Sequence, residues 1–146
     1  MYEPPPMQRP EDTPPIHTQD DLCQAWRALM GKLGFGQRYL WFLFLEEDGR
    51  LVPQVNQVEA MAAAPQPGDC AGAIGLFRRV MNGNGGGLSV AVLWSRPGGA
   101  ATTSDDLRWA KGLTDEARRQ GVRMWPVHLA NDYDLRVVTP DELLTA

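Results

Sequence analysis

The chain reads as an α/β domain in which a mixed β-sheet is flanked by helices. Three observations predict this. Apolar runs of strand length alternate with stretches whose apolar residues recur at helical spacing. Two of the strand runs are adjacent and joined by a tight turn, so the sheet starts from a hairpin. The chain has 146 residues, of which 43% are hydrophobic, enough to bury a core without staples. The expected order is helix, β-hairpin, helix, strand, helix, two strands and a terminal turn.

Residues 1–17, MYEPPPMQRPEDTPPIH, hold six of the twelve prolines. Pro4–Pro6 and Pro14–Pro15 favour extended chain and cannot nucleate a helix. This segment is expected to be a disordered or draped Pro-rich tail, and residues 18–146 a single α/β domain. Thr18 is the expected cap of the first helix, with Asp20 and Asp21 in its first turn. Leu22, Trp26, Leu29 and Leu33 form one apolar stripe, and Gly31, Gly34 and Gly36 end the helix.

Arg38 to Glu46, RYLWFLFLE, is nearly all apolar and suits a central strand covered on both faces. Glu47-Asp48-Gly49-Arg50 is a turn sequence. Leu51 to Val58 alternates apolar and polar positions, and Pro53 puts this second strand at an edge or a bulge. After a loop, Asp69 is the expected cap of a helix from about Cys70 to Met81. Ile74, Phe77 and Met81 form its buried stripe and Arg78 and Arg79 face outward. The Asn82–Gly87 glycine run follows a helix and opens a strand, the reverse of a phosphate-binding loop, and lacks the Gly-Lys-Ser/Thr ending. It reads as a helix stop.

Leu88 to Leu93 is the next buried strand, and Trp94 to Thr102 a loop. Thr103 with Asp106 three residues on forms a capping box for the following helix. Leu107, Ala110, Leu113 and Ala117 line its buried face, Trp109 stands at the border, and Gly121 stops it. Val122 to Leu129 is a strand interrupted by Pro126. Asn131–Asp134 turns, Leu135 to Val138 is a short strand, and Pro140 opens a terminal helical turn.

The formal net charge of −4 argues against a protein that grips nucleic acid through phosphates. Cys23 and Cys70 have no motif spacing and read as reduced, half-buried or buried thiols. No apolar run reaches the ~20 residues of a membrane span. With no secretory h-region in the N-terminal stretch, the expectation is a cytoplasmic protein with no membrane partner.

The order from Tyr39 to Leu144 resembles the JAB/MPN (JAMM) metalloprotease fold, above all its RadC-like branch. There the loop after the strand reads H-N-H-P-S-G, and S-x-x-D opens the next helix. The corresponding residues are Trp94-Ser95-Arg96-Pro97-Gly98-Gly99, then Thr103-Ser104-Asp105-Asp106. In the active family two histidines and the aspartate bind zinc, and a glutamate from the hairpin activates water. Trp94 and Arg96 stand where the histidines should be, and only Asp106 matches a ligand. Val55-Asn56 stands at the glutamate's place, with Glu59 nearby. The resemblance therefore implies a JAB/MPN-like domain without metal or other cofactor. Its expected work is as a protein-interaction or scaffold module, in a monomer or a homodimer.

The candidate binding loop comprises Trp94, Ser95, Arg96, Gly98, Gly99, Thr103 and Asp106, with no catalytic residue assigned. Arg96 has two readings. It pairs with Asp105 or Asp106 and locks the loop, or it receives a small anion or nucleic-acid phosphate beside the helix N-terminus. Trp94 either fills the space of the missing metal or anchors a partner. A hydrolase with a rebuilt site would need Asp106, His128 and Glu59 to converge. His128 otherwise reads as a hydrogen-bonded structural histidine. Arg118, Arg119 and Arg123 complement a helix C-terminus, and their functional alternative is an anionic partner.

Overall fold

The computed structural model describes residues 9–59 and 62–144. Five strands form one mixed sheet in the order β2-β1-β3-β4-β5: β1 Tyr39–Leu45, β2 Asn56–Glu59, β3 Ser89–Ser95, β4 His128–Ala130 and β5 Leu135–Val137. β1 runs antiparallel to both β2 and β3, β3 and β4 are parallel, and β5 returns antiparallel. The helices are α1 Gln19–Met30, α2 Asp69–Gly83, α3 Ser104–Gln120 and α4 Pro140–Leu144.

The period of two in β1 and β3 splits the core into two layers. On one face Leu43, Leu45, Ala91 and Leu93 meet Leu22, Ala25 and Trp26 of α1. On the other, Leu40, Phe42, Val90, Val92 and Trp94 meet Ile74 and Phe77 of α2 and Trp109 and Leu113 of α3. A strand buried on both sides must be apolar at every position, which is why YLWFLFL and SVAVLW do not alternate.

Several elements differ from expectation. Asp69 is not the cap of α2. Gly68 holds that place at φ +89°, and the Asp69 carboxylate accepts the Gln66 N–H instead. Leu51 makes only an isolated bridge to Leu45, and regular pairing resumes at Asn56, because Pro53 interrupts the ladder. Glu59, expected beyond the strand, closes it. Trp109 is fully buried, not at a border. The regular part of β4 is only His128–Ala130, since Pro126 breaks the run. Of the expected tail, residues 1–8 lie outside the described residues. The rest includes a short 3-10 turn, Pro10–Asp12, and leads to Ile16. Ile16 is buried in the α1 layer, and its N–H donates to the Gly49 carbonyl.

Candidate functional site

β3 runs two residues further than its apolar pattern suggests, so Trp94 and Ser95 are strand residues rather than loop. They pair with Leu40 and Tyr39 on one side and with Leu129 and Ala130 on the other. Neighbours on a strand point to opposite faces. Trp94 therefore enters the α2–α3 layer, fully buried, and stacks on Trp109 with ring centroids 4.7 Å apart. Ser95 enters the α1 layer, where its hydroxyl accepts the Trp41 indole N–H at 2.8 Å. The two adjacent candidates do not share a site.

Trp94, Arg96 and Asp106 do meet. The Trp94 indole N–H donates to Asp106 Oδ1 at 3.2 Å. Arg96 Nε lies 2.8 and 3.0 Å from the two carboxylate oxygens, and Nη2 is 2.9 Å from Oδ2. Nη1 donates to the Pro97 and Gly99 carbonyls and Nη2 also to that of Ala101. A guanidinium has five N–H groups, and each of these has an acceptor. Of Arg96's two readings, the geometry gives the ion pair, with Asp106 rather than Asp105. Asp106 also accepts the Thr103 N–H, while its own N–H donates to the Thr103 hydroxyl, closing the capping box of α3. Burial pushes the Asp106 carboxyl up, but the bonds from Arg96, Thr103 and Trp94 outweigh it and hold the pKa below its ordinary value.

The exposed segment 97–101 is thus fastened from within by one guanidinium, and it is fastened from outside as well. The Gly98 N–H donates to Asp132 Oδ2 at 2.9 Å, and Asp132 Oδ1 accepts the Phe35 N–H at 3.0 Å. Gly98 stands at φ +106°, and a Cβ there would meet Arg96 Nη1 at 3.3 Å. Asn131 Nδ2 donates to the Ala100 carbonyl, and Asn131 Oδ1 accepts the N–H groups of Tyr133 and Asp134. Beside the loop, Tyr133 is 63% exposed. Asn131, Asp132 and Tyr133 were legible only as a turn. Their residue types carried the signal, because short Asn and Asp side chains bind nearby backbone.

This arrangement is chemically closed. Trp cannot ligate a metal, and the Asp106 carboxylate is already covered by a permanent cation. The residues present therefore do not fit a zinc ion. The rebuilt-site residues do not converge either. His128 pairs with Leu93 and so lies in the α1 layer, on the opposite face of the sheet from Trp94 and Asp106. Glu59 pairs with Tyr39 at the exposed edge strand. Among the described residues, no three His, Cys, Asp or Glu side chains are grouped to hold a metal. No described helix is long and apolar enough to cross a membrane.

No protein-family model matches the chain, and no curated protein or solved structure is significantly similar to it. The class that the fold defines is a mixed α/β domain with a five-stranded sheet between helical layers. At its β3–α3 junction Arg96 and Asp106 form a structural ion pair.

Proposed function

We propose that this chain is a non-catalytic JAB/MPN-like domain of the RadC-like kind, acting as a protein-interaction or scaffold module. The observation that carries the reading is the Arg96–Asp106 pair. Trp94, Arg96 and Asp106, the positions that the resemblance aligns with the metal ligands, come together in space, and a guanidinium covers the carboxylate in place of a metal cation. The element order after α1 (two antiparallel strands, helix, strand, helix, two strands) also supports it.

The contact surface in this reading is segment 97–101 with Tyr133. Such a surface is fixed before it meets a partner, so little conformational freedom is lost on binding. Anion capture by the same loop has less support, because an incoming anion must displace a carbonyl or Asp106 from Arg96.

Two measurements test the proposal. Elemental analysis of the purified chain after incubation with zinc is expected to find no tightly held metal. One zinc per chain, lost on Asp106→Asn, would overturn the non-catalytic assignment. Cross-linking in cells with the wild type and with Tyr133→Ala and Pro97→Asp variants is expected to identify a protein neighbour that both variants lose. A neighbour set unchanged in both rules out this surface.

A further inference from the structure

At the other end of β3, away from the Trp94 junction, the end of α3, the 121–127 segment and α4 line a half-open cavity of about 490 Å³. That lies within the usual range for small-molecule sites, roughly 300–1,000 Å³. Its walls include Val122, Val127, Val138 and Leu143, with half-buried Trp125 on one side. The exposed Arg118 and Arg123 also line it, and none of its described lining residues is a carboxylate. In a chain with 18 acidic and 14 basic residues, that local excess of positive charge is a specific feature.

The backbone beside the cavity is irregular. Val90 bridges Met124 and Leu93 pairs with His128, so three steps along β3 face four along its parallel neighbour. The extra residue is accommodated around Pro126 as a bulge, the kind of irregularity that re-aims side chains beside sites. The indole N–H of Trp125 is held by the Ser89 hydroxyl at 3.0 Å, which fixes the ring. Arg123 donates one Nη2 bond to the Gly86 carbonyl at 2.7 Å and keeps other N–H groups. The Arg118 side chain has no hydrogen bond or ion pair among the described residues, whereas its neighbour Arg119 is paired with Glu116.

We propose that this cavity binds a small carboxylic acid, with its aliphatic or single-ring body on the apolar floor and its carboxylate between Arg118 and Arg123. A guanidinium suits a carboxylate because its N–H groups are forked to match the two oxygens. Inorganic phosphate would leave the apolar walls in water. A nucleic acid would meet two cations on a net-acidic protein, too few for counterion-driven binding. The site shares no residue with the surface assigned to partner contact, so either reading can fail alone.

The test uses the full chain and two-dimensional amide NMR, with octanoate and 3-phenylpropionate as probes. Octanamide, 3-phenylpropanamide and inorganic phosphate are the controls. The acids are expected to give saturable shifts at the Val122–Val127 amides and the Trp125 indole. Arg118→Gln and Arg123→Gln should each weaken binding about tenfold, as losing a charge-assisted bond to a carboxylate implies. The amides should bind weaker by about the same factor, and Arg119→Gln should change nothing. Lack of saturable shifts with both acids would overturn the proposal. So would equal binding of acid and amide, equal shifts with phosphate, or concentration-dependent dimerisation that buries the same amides.

Discussion

The single side chain of Arg96 performs three tasks. It neutralises a carboxylate only 5% exposed, it collects three loop carbonyls, and it covers the start of α3. Arg96→Ala leaves Asp106 buried without its counter-ion. Breaking such a pair costs about 3 kcal/mol, near the low end of the range because Arg96 itself is partly solvated. Urea denaturation should show that loss, and Arg96→Lys should recover little of it. Lysine carries the charge but not the planar fork that reaches Asp106 and the carbonyls together. Much of this site was legible in the residues: Thr103 and Asp106 have capping-box spacing, and an arginine ten positions before Asp106 had few other counter-ions. Which aspartate it chose was not legible. Asp105 and Asp106 are adjacent, and only the docking of α3 on the sheet decides which of them faces inward.

At the scale of elements, α2 and α3 lie against the same sheet face and pack along each other, most closely where Gly112 faces Cys70. A Cβ built on Gly112 of α3 would stand 2.7 Å from Cys70 Sγ of α2. In an isolated helix alanine beats glycine by about 1 kcal/mol. Here overpacking opposes that gain and costs about 1–3 kcal/mol, so Gly112→Ala should destabilise. In a Cys70→Ala background the clash disappears and the same substitution should stabilise. A double-mutant cycle by thermal or chemical unfolding measures the coupling, and additive effects would show that the helices part freely. Helix periodicity placed Ile74, Phe77, Leu113 and Ala117 correctly on buried faces. It misjudged Trp109, because a residue at the margin of one helix's stripe becomes central when a second helix closes over it. It also could not see β2 begin late at Asn56. Pro53 signalled the irregularity, but how far it reaches depends on the partner strand.

At the scale of the molecule, acid stability should be governed by the α1 layer. His128 lies there fully buried, its Nδ1 3.2 Å from the Pro126 carbonyl. Its Nε2 has no hydrogen-bond partner among the described residues. Burial, aided by the nearby Arg27, pushes its pKa down from 6.5 to about 4. A group depressed in this way is neutral in the folded state and protonates first in the unfolded chain. Its contribution is therefore complete above pH 6.5 and is lost as pH falls towards 4, by about 3 kcal/mol in all. Glu116 and Glu142, held near 2 by Arg119 and Arg136, lose theirs only at more acid pH. Stability measured between pH 7 and 4 should fall in the wild type and stay nearly flat in His128→Asn, which retains a donor for the Pro126 carbonyl.

The sequence by itself determined the alternation of helices and strands, the two-sided burial of β1 and β3 and the Thr103–Asp106 capping box of α3. These follow from local periodicity and from the chemistry of single side chains. The tertiary structure decided the rest. It sent Trp94 and Ser95 to opposite layers and drew Ile16 out of a proline-rich segment into the core. It closed the N–H groups of Arg96 on three loop carbonyls and on Asp106 of α3, and it left Arg118 and Arg123 lining an apolar cavity. Each of these depends on which distant residues share a face of the sheet, and strand register, not local pattern, sets that.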